Sequence, residues 1–151
     1  MPQSLAKVVL HIVFSTKNRA SYLEDNSIRG QLHSYLAGVL KSLDCQAIIV
    51  GGVSDHIHSL NLLSRTRTIS SVLEEIKTST SKWIKTNGAQ HQDFHWQNGY
   101  GVFSVSESRI PEVRKYIENQ EEHHRTMTFQ DEFRELCRRH GVPIDERYVW
   151  D

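Results

Sequence analysis

The sequence predicts an α+β fold: an antiparallel sheet built in the order β-α-β-β-α-β, with helices on one face and two further helices at the C-terminus. Three observations predict it. Four short apolar runs rich in β-branched residues, Lys7–Thr16, Cys45–Val53, His56–Leu63 and Tyr100–Ser106, read as strands. The apolar period lengthens to that of a helix between the first and second runs and again between the third and fourth. Glycines at 51, 52, 88, 99 and 101 punctuate the chain where turns are needed. A length of 151 residues suits one domain able to bury its own core, here 1–151, with a core of about 7–125 and a C-terminal helix and tail at 126–151.

In the first run Val8, Leu10, Ile12 and Phe14 alternate with Val9, His11, Val13 and Ser15. Both faces are largely apolar, which marks a central strand. Thr16-Lys17-Asn18-Arg19 follows as a basic turn. Ile28, Leu32, Leu36, Val39, Leu40 and Leu43 form one helical stripe over Asn26–Leu43. The second and third runs are joined by a tight turn and form a hairpin. If His56 and His58 face one side of the third strand, Ser59 and Asn61 join Ile57 on the other, which is polar for a core face and predicts a bulge or a short strand. Thr68 is a good N-cap for a helix carrying Ile69, Val72, Leu73, Ile76, Trp83 and Ile84. Pro111 marks the first turn of a helix running to about Glu122. Thr128-Phe129-Gln130-Asp131 resembles a capping box, and the helix it opens carries Phe129, Phe133, Leu136 and Cys137 and stops at Gly141. A tail with Tyr148 and Trp150 is expected to pack. The whole is the ferredoxin-like, RRM-like split unit, whose second sheet face is open to a ligand.

Composition excludes several classes. An apolar content of 38% and a charged content of 24% are those of a globular protein, and no apolar run approaches the length of a membrane span. Cys45 and Cys137 lie far apart with no C-x-x-C pair, and no signal peptide precedes them, so free thiols and a cytoplasmic location are expected. Eighteen Lys and Arg balance eighteen Asp and Glu. That balance counts mildly against a nucleic-acid binder but leaves room for a basic groove.

The chemistry centres on Asp55-His56-Ile57-His58. Residues i and i+2 of a strand point the same way, so both imidazoles would converge as half of a divalent-metal site. In a chain with nine histidines, such a pair also suits ordinary surface or half-buried histidines, and it needs a partner. Tyr116 and Gln120, four apart on the third helix, share a face. A tyrosine hydroxyl beside a metal can attack a phosphodiester, and Gln120 can offer a carbonyl oxygen as third ligand. Packing for Tyr116 and solvation for Gln120 are the plain alternatives.

Four segments together resemble the HUH-type single-tyrosine transposases of bacterial insertion sequences, REP-associated relatives included. They are Val13-Phe14-Ser15-Thr16-Lys17-Asn18-Arg19, Asp55-His56-Ile57-His58, Trp96-Gln97-Asn98-Gly99-Tyr100 and Tyr116-Ile117-Glu118-Asn119-Gln120, in that family's order across roughly residues 7–125. Ser59 and Asn61 depart from the apolar residues usual after the histidine pair. The resemblance implies a substrate of single-stranded DNA folded into hairpins at the ends of a mobile element. It implies Mg²⁺ or Mn²⁺ held by His56, His58 and Gln120, and attack by Tyr116 to leave a 5′-phosphotyrosine and a free 3′-OH. It also implies a homodimer; a central strand starting almost at the N-terminus, its edge free for another chain, points the same way.

Weaker candidates surround this core. His123 or His124 could join the metal in place of Gln120, or be solvated or structural. Lys17, Arg19, Lys82, Lys85, Arg109, Arg114 and Lys115 are candidates for DNA phosphates, or are plain surface charges. Trp96 and Tyr100 could stack bases or fill the core, where Trp83 is also expected. Two rival functions fit the same residues: a single-strand nucleic-acid-binding module without chemistry, as in a domesticated relative, and a metal-dependent phosphodiesterase in which water replaces Tyr116.

Overall fold

The computed structural model describes residues 2–151. Its strands are β1 (Val9–Ser15), β2 (Ala47–Val53), β3 (His56–Leu62) and β4 (Gly101–Val105). Its α-helices are α1 (Asn26–Ser42), α2 (Ile69–Lys85), α3 (Ile110–Glu118), α4 (Gln120–His123) and α5 (Phe129–Arg139). The strands lie in the order β2-β3-β1-β4, and each neighbouring pair is antiparallel. The expected α+β architecture is therefore present.

Side-chain alternation divides the molecule into two layers. On one face Leu10, Ile12, Phe14 and Ile57 meet Leu32, Leu36 and Leu40 of α1 and Val72, Leu73 and Ile76 of α2. Full burial of each such aliphatic side chain contributes roughly 1.5–3 kcal/mol. Asp25 caps α1 by accepting from Ser27 N and Ile28 N, and Thr68 with Ser71 forms a reciprocal capping box on α2. Ser59 and Asn61 do face this layer, and they satisfy each other: Ser59 Oγ donates to Asn61 Oδ1 at 2.7 Å and Asn61 Nδ2 to the Leu62 carbonyl at 2.9 Å. The expected irregularity lies on the partner strand, as a register shift between Ala47 and Ile49 opposite Asn61 and Leu60; β3 itself runs its full seven residues.

Three expectations need correction. The second sheet face is not open, because α3, α4 and α5 cover it: Val13 and Phe103 pack with Phe129, Phe133 and Leu136, and Val9 and Leu60 with Ile117. The helix expected to run to Glu122 breaks at Asn119 into α3 and α4, so two C-terminal helices become three. The first strand has no free edge, because β1 lies between β3 and β4. That removes the sheet-edge argument for a dimer. Thr128 Oγ1 accepts from Asp131 N at 3.2 Å, which makes the forward half of the expected capping box. Of the tail, Trp150 packs near Phe129 and Phe133 while Tyr148 stays exposed. Cys45 and Cys137 are free and buried. Among the described residues no helix is long and apolar enough to cross a membrane.

Gly51 sets how closely the covering layer approaches. A Cβ there would lie 2.8 Å from Ile117 Cγ2 and 3.0 Å from the Ile117 carbonyl oxygen, so only glycine lets α3 sit this near β2. That contact places Tyr116 and Gln120 over β3.

On α1, burial, reinforced by the Arg29 guanidinium, lowers His33 to about 4. The unfolded chain, with an ordinary imidazole near 6.5, then binds this proton first. Stability is therefore complete above about 6.5 and falls as pH drops towards 4. His33→Gln should show a smaller drop in Tm than wild type between about pH 7.5 and pH 5 in thermal circular dichroism. An equal drop in both proteins would assign the acid sensitivity to other groups.

Candidate metal centre and tyrosine

β3 starts at His56, so His56 and His58 project from the same face towards α3–α5, both fully buried. They stand opposite Ser15 and Val13 of β1. Gln120, at the start of α4, brings its Oε1 to 3.0 Å from His56 Nε2. α5 brings Glu132, whose side chain is 1% exposed, to the same point. Glu132 Oε1 lies 2.9 Å from His58 Nε2, 3.1 Å from His124 Nε2 and 3.3 Å from His56 Nε2. Its Oε2 accepts from Gln120 Nε2 at 3.0 Å and from the Tyr116 hydroxyl, and lies 3.4 Å from His123 Nε2.

The far nitrogens of the three inner histidines are already committed. His56 Nδ1 is 2.7 Å from the Asp55 carboxylate, His58 Nδ1 is 2.7 Å from His11 Nε2, and His124 Nδ1 is 2.7 Å from the Met127 carbonyl. Nδ1 of His56 and of His124 therefore carries a proton and donates it, while His58 and His11 share one. This is how protein frameworks hold metal-ligating imidazoles, with the outer nitrogen bonded and the inner lone pair aimed inward. His124 Nε2 is buried and makes no aligned hydrogen bond among the described residues, although Glu132 Oε1 lies 3.1 Å away. One ligand atom each from His56, His58, His124 and Glu132 lie within 4.8 Å of one another. These donors fit a divalent cation. Three imidazoles suit Mn²⁺ better than Mg²⁺, which prefers an all-oxygen shell.

The electrostatics draw positive charge into the cluster. Burial opposes protonation of His56, yet the Asp55 and Glu132 carboxylates outweigh it and raise the imidazole to about 9. Burial lowers His58, and burial with the neighbouring His58 lowers His11. Burial pushes Glu132 up, but the surrounding imidazoles more than offset it and hold the carboxyl well below the usual range. Burial, then the Glu132 charge, raises Tyr116 above an ordinary phenol, so its hydroxyl keeps the proton it donates to Glu132. The Tyr116 ring also lines a cavity of about 560 Å³ with His11, Arg109, Glu112, Arg139 and His140. The tyrosine thus stands between this cavity and the histidine cluster.

The model of the IS200-like transposase family matches residues 4–120. The chain belongs to the IS200-like transposases. It is thus a member of a family of DNA-processing enzymes. No curated protein matches it. Solved structures share its fold. A candidate transposase of Deinococcus radiodurans is 20% identical, with a TM-score of 0.62 over 80% of this chain and 95% of that one. A REP-associated tyrosine transposase, solved bound to a REP hairpin, is 15% identical, with a TM-score of 0.52 over 80% of this chain and 68% of that one.

Of the residues singled out in the transposase sequence, His56, His58, Gln120 and Tyr116 come together, although the helix breaks between the last two. His124 joins the cluster, while His123 touches its rim at Tyr116 Oη, 3.4 Å away. The basic candidates scatter. Lys82 and Lys85 lie on α2, across the sheet from the histidines. Arg19 donates to the Trp150 carbonyl at 2.9 Å, and Lys17 and Lys115 are exposed. Arg109, at the N-cap of α3, pairs with Glu112, and Arg114 on its surface pairs with Glu118; only Arg109 of the seven lines the cavity beside Tyr116. Trp96 is core, its indole donating to Thr80 Oγ1 at 2.9 Å, so it offers no face for a base; Tyr100 is 40% exposed. Trp83 is half-buried and stacks on Tyr35 at the edge of the core.

Glu132 and His11 escaped the sequence reading, yet both left a trace. Phe129, Phe133, Leu136 and Cys137 mark the buried stripe of α5, and Glu132 falls inside it at the i+3 position. A carboxylate in a buried stripe requires a partner. His11 is likewise a lone imidazole in a strand buried along its whole length.

Proposed function

We propose that this chain cuts and rejoins single-stranded DNA at hairpin-bearing element ends through a covalent bond between Tyr116 and a 5′ phosphate. One observation carries the reading: Tyr116 and the His56–His58 pair, distant in sequence, meet at a single buried carboxylate. A hydroxyl poised as nucleophile beside a cation-binding cluster is the arrangement that phosphodiester transfer needs. Mg²⁺ or Mn²⁺ held by His56, His58 and Gln120 would stabilise charge on the oxygens of the scissile phosphate.

The remaining work falls to the chain itself. The cavity beside Tyr116 is the way in for the phosphodiester, since His56, His58 and Gln120 are buried. Arg109 and Arg139 on its wall attract the phosphates. Tyr116 attacks, the 3′ oxygen leaves, and the phosphotyrosine conserves the bond for a second 3′-OH. The REP hairpin held by one structural neighbour supports a hairpin substrate here. A homodimer rests on the family resemblance alone. A hairpin oligonucleotide from the DNA flanking the gene, incubated with Mn²⁺, should yield a free 3′-OH fragment and no free 5′-phosphate fragment. A free 5′-phosphate fragment as the main product would make the chain a hydrolase.

A further inference from the structure

Glu132 lies twelve residues past the end of the family match, on a helix outside the matched segment. Its ionic partners are all histidines. Among the described residues it meets no Arg or Lys; its charged contacts are His56, His58, His123 and His124, and three of these have their outer nitrogen already bonded elsewhere. A carboxylate taken out of water needs compensating positive charge, and a divalent cation among these inner nitrogens would supply it.

The two oxygens face different neighbours. Oε1 faces the inner nitrogens of three histidines, at 2.9, 3.1 and 3.3 Å. Oε2 faces the Tyr116 hydroxyl and the Gln120 amide. The helix is held rigidly, by its Thr128 cap and by the buried Phe129, Phe133 and Leu136, so the carboxylate is preorganised.

We infer that Glu132 is a bifunctional catalytic residue: with His124 it completes the cation site through Oε1, and through Oε2 it takes the proton of Tyr116 as the tyrosine attacks. This rests on the transposition chemistry proposed above. In the step, the Tyr116 Oη–P bond forms and the P–O3′ bond breaks. The hydroxyl proton passes to Glu132 Oε2, and the 3′ oxygen leaves with its electron pair and takes a proton from solvent. On rejoining, the incoming 3′-OH loses its proton to solvent, and Tyr116 Oη recovers its own from Glu132. The charged carboxylate is a weak base at rest, so transfer proceeds as bonding to phosphorus acidifies the phenol.

The test uses the full chain, Mn²⁺ alone, and the flanking hairpin oligonucleotide. Glu132→Gln keeps the shape and the amide-compatible contacts, and circular dichroism checks that it folds. Calorimetry should show Mn²⁺ affinity reduced at least about ten-fold in Glu132→Gln and unchanged in Tyr116→Phe. At saturating Mn²⁺ the rate of protein–DNA adduct formation should stay about a hundred-fold down in Glu132→Gln, as expected for loss of a general base. Glu132→Asp, which keeps the charge but draws it back by one methylene, should lose both in smaller measure, and decides the matter if the glutamine variant does not fold. Wild-type Mn²⁺ affinity in these variants, or an adduct rate fully restored by saturating Mn²⁺, would overturn the inference. Absence of any adduct with the wild-type protein would instead overturn the transposase chemistry on which it rests.

Discussion

Tyr116→Phe is expected to abolish strand cleavage and covalent capture while leaving the fold intact. The ring packs edge-on to His11, His58 and His123, and phenylalanine keeps those edge contacts. What goes is one hydroxyl and its bond to Glu132. A hydrogen bond to a charged group contributes roughly 1.5–3 kcal/mol, so a modest fall in stability should accompany the loss. Loss of the nucleophile should remove at least about a thousand-fold of the rate, because among the described residues no other hydroxyl shares Glu132. A denaturing gel with the hairpin oligonucleotide and Mn²⁺ reads both outcomes. Cleavage that continues without an adduct would give the reaction to water.

His58→Ala should have the second largest effect, and on two properties at once. His58 bridges His11 on one side and Glu132 on the other. Its removal takes a ligand from the cluster and leaves both neighbours underpaired in a fully buried pocket. Mn²⁺ affinity should fall by at least about a hundred-fold, by analogy with the cost of disturbing even the outer contacts of a metal site. Stability should fall by about 1–3 kcal/mol, the usual cost of leaving a buried polar group short of a hydrogen bond. Calorimetry with Mn²⁺ and urea unfolding separate the two losses. Undiminished Mn²⁺ binding would place the cation elsewhere.

How much of this was legible in the sequence follows from the reach of each signal. Periodicity is local, and it located all four strands and the two long helices within two residues or so. The i, i+2 rule likewise placed His56 and His58 on one face. The spacing of four put Tyr116 and Gln120 on one side, and they do meet there at Glu132, although the chain leaves the helix at Asn119 between them. Which elements cover a sheet face is a long-range property. Nothing within the third strand says that α5 returns to seal it, so the open face was wrong and Glu132 was missed. The stripe of α5 did hold the clue, since a buried carboxylate at an apolar position demands a partner. The basic residues fared worst, because surface charge carries no periodicity. Lys82 and Lys85 read the same on either side of the molecule, and the structure sets them across the sheet from the cluster. Arg139, which lines the cavity beside Tyr116, had no feature to separate it from its neighbours.

The tyrosine at the histidine cluster is expected to become bonded to DNA. Peptide mapping of the adduct formed by wild-type protein with the flanking hairpin oligonucleotide and Mn²⁺ tests it most directly. A single modified peptide is expected, carrying a 5′-linked nucleotide on Tyr116, dependent on Mn²⁺ and absent from Tyr116→Phe. Cleavage with no modified peptide, or a nucleotide carried by another residue, would contradict it.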